Sequence, residues 1–140
     1  MKQILFFVTL LFTFVNTNAQ TKTTFSIKNN KNLPKWFENV ERSYMLNDDR
    51  IDDEVKYIGG CNPKIGEIFF INNKEVLFSK NKIKTTKVKN IITRTFASGD
   101  YLIIMKWDTN LTTGAYSEGS ISLKYKNKLQ FNSPLVISGF

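Results

Sequence analysis

A chain of 140 residues with 41% hydrophobic side chains has the length and composition of one folded domain, and its lone cysteine excludes a disulfide-built scaffold. Lys and Arg outnumber Asp and Glu by 20 to 12, a formal charge of +8 at pH 7, which favours anionic partners through a screened long-range field. Histidine is absent, and with it go the commonest general base, the Ser–His and Cys–His nucleophile pairs and imidazole zinc sites.

The first nineteen residues have the order of a secretory signal. Lys2 supplies a positive start, Ile4 to Val15 is an uncharged run of apolar residues and Thr, and Thr17 and Ala19 are the small residues a signal peptidase reads. The run is shorter than the roughly 20 residues that span a bilayer. Cleavage after Ala19 leaves Gln20 to Phe140 as a single domain, periplasmic or secreted, with no integral membrane segment. Loss of Lys2 lowers the formal charge to +7, and Gln20 at the new terminus excludes lipid attachment to a cysteine there.

Phe25-Ser26-Ile27-Lys28 alternates apolar with polar and predicts a short first strand. After the turn-like run from Asn29 to Asn32, Pro34 suits the first position of a helix. Leu33, Trp36, Phe37, Val40 and Tyr44 then share one helical face, predicting a helix over 34–46 with Lys35, Glu38, Glu41 and Arg42 in water. Ile51, Val55 and Ile58 fit a second short helix ended by Gly59-Gly60, although residues 55–58 serve equally as a strand.

From Glu67 the hydrophobic period becomes two. Residues 67–71 and 75–79 form a hairpin across Asn72-Asn73-Lys74. Lys84 to Phe96 reads as one long strand whose alternation slips near Asn90-Ile91-Ile92, the mark of a bulge. Ser98-Gly99-Asp100 turns the chain into Tyr101–Trp107, apolar on both faces and therefore central. Asp108 to Gly119 is polar and glycine-containing, and reads as the longest loop. Residues 120–125 and 129–131 pair across Lys126-Asn127-Lys128, and Leu135-Val136-Ile137 is a last strand. The order predicts an α+β domain, with an N-terminal helix, or two, packed on a curved antiparallel sheet of six or seven strands. The alternative is a closed β-barrel or sandwich with one helix.

Few residues point to chemistry. The acidic run Asp48, Asp49, Asp52, Asp53 and Glu54 lacks the alternating spacing and glycine of a calcium loop, and suits helix capping instead. No pair of carboxylates is singled out for glycoside hydrolysis, and no catalytic, cofactor or metal motif is present. Cys61, in Gly59-Gly60-Cys61-Asn62-Pro63, reads as a buried and inert thiol, with an intermolecular disulfide as the alternative. Lys80, Lys82, Lys84, Lys87 and Lys89 crowd five ammonium groups into ten residues. They fit either an edge strand guarded against sheet-to-sheet pairing or an anion-binding stripe. Tyr116 reads as an exposed contact anchor in the 108–119 loop, and the sequon Asn110-Leu111-Thr112 marks that loop as surface. Arginine occurs only at Arg42, Arg50 and Arg94, which disfavours nucleic acid as a partner.

These features predict an exported, non-catalytic binding protein, of inhibitor or immunity type, acting on another macromolecule of the cell envelope. Its contacts would be Lys80, Lys82, Lys84, Lys87, Lys89 and Tyr116. Two alternatives are a binding module for an anionic glycan or lipid and a small secreted enzyme working through carboxylates.

Overall fold

The computed structural model describes residues 22–46 and 55–139. The signal segment and the acidic run from Asp48 to Glu54 lie outside the described residues. The regular structure is nearly all strand: β1 Arg42–Leu46, β2 Tyr57–Asn62, β3 Gly66–Ile71, β4 Lys74–Phe78, β5 Ile83–Val88, β6 Ile91–Ser98, β7 Tyr101–Thr113, β8 Tyr116–Tyr125 and β9 Lys128–Ser138. They form one antiparallel sheet in the order β4-β3-β2-β1-β9-β8-β7-β6-β5. Helical structure among the described residues is limited to single 3-10 turns at Asn30–Asn32, Lys35–Asn39 and Lys80–Lys82. A curled, all-β half-barrel therefore replaces the expected helix-on-sheet α+β domain.

Chain connectivity explains the curl. Two meanders, β1 to β4 and β5 to β9, are fused by the β1–β9 pairing, so the consecutive strands β4 and β5 fall on opposite edges. A flat sheet of nine strands would hold its edges about 38 Å apart at roughly 4.8 Å per neighbour. The link from Phe78 to Ile83 reaches at most about 19 Å, five Cα steps of roughly 3.8 Å each. The sheet has to roll up. Its inner face then closes on itself: Phe69 of β3 meets Phe96 of β6 edge to face at 5.3 Å, although the two strands are far apart in the sheet order. Phe78, Ile103, Met105, Ile121, Leu123, Leu135 and Ile137 complete a fully buried interior.

The helix expected over 34–46 is a 3-10 turn followed by β1. Of its apolar stripe Phe37 and Tyr44 are buried, on two different faces of the sheet, while Leu33, Trp36 and Val40 are partly buried. Phe37 lies against Tyr57 at 4.8 Å and Phe70 at 6.5 Å, a satellite cluster apart from the main core. Tyr44 points into the interior and stacks on Phe69 at 5.1 Å with an interplanar angle of 8°. Ladders on both sides of β1, to Gly59 and Ile137 at Tyr44, outweigh what a single helix offers these residues. The second helix fails for a related reason. Tyr57–Asn62 is a strand, and Gly59 sits in register between Tyr44 and Phe69. Without a side chain there, the two rings can meet; a Cβ would fall 2.9 Å from Phe69 Cδ1.

Four strand boundaries also differ from expectation, among them the separate strands expected at 129–131 and 135–137, which form one continuous β9. Phe25 to Lys28 makes only isolated bridges, Phe25 to Ile71 and Lys28 to Tyr57. Lys84 to Phe96 is a hairpin rather than one bulged strand, and Lys89 adopts φ +54° at its tight turn. The 108–119 loop does not form. β7 runs to Thr113 and β8 starts at Tyr116 across Gly114-Ala115, with the irregularity absorbed in a register shift between Trp107 and Thr112. The Thr residues that made this run look loop-like are β-branched and suit strands, and the Thr112 and Ser117 hydroxyls hydrogen-bond across it at 2.7 Å. The hairpins turning at Asn72-Asn73 and Lys126-Asn127 form as expected, with positive φ at all four residues.

Gly59→Ala is expected to cost about 1–3 kcal/mol of stability through overpacking against the Ile68 carbonyl and Phe69. A urea midpoint indistinguishable from wild type would contradict the stacking of Tyr44 and Phe69 across this position.

Candidate functional site

The period-two register puts Arg42, Cys61 and Glu67 in one row across β1, β2 and β3, and pairs Thr85 of β5 with Arg94 of β6. The curl brings the two groups together. Arg94 Nη2 lies 2.8 Å from Glu67 Oε1, and Arg42 Nη2 lies 3.8 Å from the same oxygen. The Tyr44 hydroxyl donates to Glu67 Oε2. Oε1 receives no aligned hydrogen bond, so its stabilisation is coulombic rather than directional. The Arg94 guanidinium also lies 5.2 Å from the centre of the Phe96 ring.

Glu67 is only 2% exposed, so its negative charge depends on these partners. Two guanidinium groups face this one carboxylate, and Lys80 adds a third cation to the same cleft, with Glu41 as a second acid in its lining. Arg42 is 31% exposed and donates through Nη2 to Cys61 Sγ at 3.6 Å. Its Nε is buried without a hydrogen-bond partner. The cleft has a volume of about 400 Å³.

Three groups in and beneath the cleft are shifted by their surroundings. Burial pushes the Cys61 thiol up, against the hydrogen bond from Arg42 and with the help of Glu67. Such a thiol is a poor nucleophile at neutral pH. Burial, then the Glu67 charge, pushes the Tyr44 phenol well above its usual range. Burial works to lower the Arg42 guanidinium, but Cys61, Tyr44 and Glu67 outweigh it and the net shift is upward. Among the described residues no group of three His, Cys, Asp or Glu side chains is placed to hold a metal. No helix there is long and apolar enough to cross a membrane. The arrangement is suited to attracting a negative group.

The expected contact residues are not brought together as one site. Lys80 and Lys82 sit in the 3-10 turn between the sheet edges, Lys84 and Lys87 on edge strand β5, and Lys89 at the β5–β6 turn; all five are exposed. Of these, Lys80 lines the cleft. Tyr116 opens β8 instead of sitting in a loop. It is half exposed, while the next residue, Ser117, is fully buried, so Tyr116 faces away from the interior. Its neighbour is Tyr57, whose phenol is raised by burial and then by Tyr116.

Sequence reasoning passed over Arg42, Glu67, Thr85 and Arg94 as site residues. Arg94 carried a readable signal: it is in phase with Ile92 and Phe96, a charge on the apolar side of a strand. Glu67, just ahead of Ile68-Phe69-Phe70-Ile71, is the matching anion. Comparisons with family models, curated proteins and solved structures found no match to this chain.

Two outcomes follow from these environments. Cys61 should react with a thiol-specific alkylating reagent at pH 8 many times more slowly in the folded protein than in urea; equal rates would mean that the thiol is accessible and activated. The raised Tyr44 phenol stabilises the fold below about pH 10, the ordinary tyrosine value, and this contribution fades as pH rises towards its folded-state value. Tyr44→Phe should therefore flatten the loss of stability above about pH 10, by up to about 1.4 kcal/mol per pH unit. An unchanged slope would place Tyr44 outside the buried cluster.

Proposed function

We propose that the chain is an exported, non-catalytic binding protein whose ligand presents a carboxylate, sulfate or phosphate to the cleft between β1–β3 and β5–β6. The observation that carries this reading is the cationic excess at the cleft, where Arg42, Lys80 and Arg94 surround the buried Glu67. The surrounding sequence extends it: between Glu75 and Asp100 there are five lysines and Arg94, and no acidic residue. A planar guanidinium offers parallel N–H groups to an oxyanion, and the Arg42 side chain, the more exposed of the two arginines, lines the cleft. Export rests on the pattern of the first nineteen residues. Catalysis by Glu67 is disfavoured, because Arg94 and Tyr44 already engage its carboxylate.

A second reading, an inhibitor or immunity-type contact with another envelope protein, draws support from β5. Among the described residues that strand pairs only with β6, so its other edge is open to an added strand. Its lysines would select an acidic segment.

Inorganic sulfate, titrated at constant ionic strength against chloride, is the probe of the cleft. The Nε–H resonance of Arg42 should shift saturably with sulfate and not with chloride. Lys80→Gln, at an exposed position, should weaken sulfate binding about fivefold, as loss of one partly screened charge implies. Equal responses to both salts, or no effect of the substitution, would overturn the assignment.

A further inference from the structure

We infer that the cleft is one half of a longer binding track, and that its ligand is an acidic oligosaccharide with one sugar ring laid against Trp36. This inference rests on the acidic-ligand reading and names the ligand class. A groove of about 540 Å³ lies beside the cleft and shares Pro63 with it. Trp36, Val40, Pro63 and Ile65 supply its apolar lining, and Lys35, Asn39 and Lys64 its polar lining, with no carboxylate among the lining residues.

The groove is held in shape before any ligand arrives. Asn62 is 4% exposed, and its Nδ2 donates to the Trp36 carbonyl at 2.9 Å. Its Oδ1 accepts from the Lys64 and Ile65 amides at 3.0 and 3.2 Å. One buried amide thus fastens the turn carrying Trp36 to the turn that forms the opposite wall. The indole is fixed as well. It packs on Phe37 at 5.4 Å and Phe70 at 5.8 Å, and its Nε1 donates to Glu75 at 3.0 Å.

A rigid aromatic surface flanked by hydrogen-bonding side chains matches a pyranose ring. The sugar's C–H face carries partial positive charge and settles on the electron-rich ring, while its hydroxyls need nearby polar partners such as Asn39 and the lysines. Lys35 and Lys64 favour an acidic sugar over a neutral one. Past Pro63, the next acidic group along the chain reaches Arg42 and Lys80. A single ion would occupy only the cleft; a repeating acidic polymer fits both halves.

Tryptophan fluorescence tests this directly. The chain has two tryptophans, and Trp107 is only 7% exposed, so a ligand-induced change reports Trp36. Uronate and sulfated oligosaccharides of about four sugars should alter the emission saturably. Their neutral counterparts should bind at least about tenfold more weakly, and Lys35→Gln with Lys64→Gln, both exposed, should weaken the acidic ligands about fivefold or more. Sulfate binding at Arg42 without any emission change from the oligosaccharides would overturn the saccharide track and leave the anion cleft standing. Failure of both sulfate and oligosaccharides would remove both readings. Equal binding of neutral sugars, or the same emission change with poly-glutamate or with anionic lipid vesicles, would also overturn it.

Discussion

The Glu67 carboxylate is buried at the point where the sheet folds over on itself, and Arg94 reaches it from a strand well separated in the sheet order. Taking a carboxylate and a guanidinium out of water carries a desolvation cost of several kcal/mol, recovered only if both stay close and further partners join. Here Tyr44 donates to the second oxygen, Arg42 adds positive charge, and Phe96 lies under the Arg94 guanidinium. Removing one partner would strand a charge in the interior. The cluster therefore ties the two meanders in one relative position, and the apolar contacts between Phe69, Phe78 and Phe96 close beside it.

The same geometry generates the site. A strand pair that merely needed neutral charge would set one arginine against one glutamate. The curl instead delivers two arginines to a single carboxylate and swings the Lys80 turn over the opening. Structural charge and receptive charge are thus separable here. Arg94, with its side chain 13% exposed, serves the interior; Arg42, 31% exposed, reaches outward into the cleft. The neighbouring groove adds a preformed aromatic surface, Trp36, flanked by Lys35 and Lys64.

Local patterns carried the β3–β4 and β8–β9 hairpins well, because Asn72-Asn73 and Lys126-Asn127 tolerate positive φ and their flanking strands alternate cleanly. The apolar spacing around Trp36, Phe37 and Tyr44 did not distinguish a helix from a turn plus strand. Its burial is satisfied on opposite sides of a sheet whose existence depends on β9, nearly a hundred residues later. Gly59-Gly60 looked like a helix stop, yet Gly59 is needed for the meeting of two rings across it. The Thr-rich run after Asp108 looked like a loop because polar residues are common to loops and to exposed strands. The site was legible only in part. Lys80 stood out through its charged neighbours, whereas Arg42, Glu67 and Arg94 are separated by dozens of residues and meet only through the curl.

The most direct measurement of this account is a double-mutant cycle between Glu67→Gln and Arg94→Met, read as unfolding free energies in urea. Contact across the rolled sheet predicts a coupling of at least about 1 kcal/mol, since two groups sharing one buried network do not act independently. Additivity within about 0.5 kcal/mol, the behaviour of distant and unconnected sites, would contradict the closure of the half-barrel through this pair.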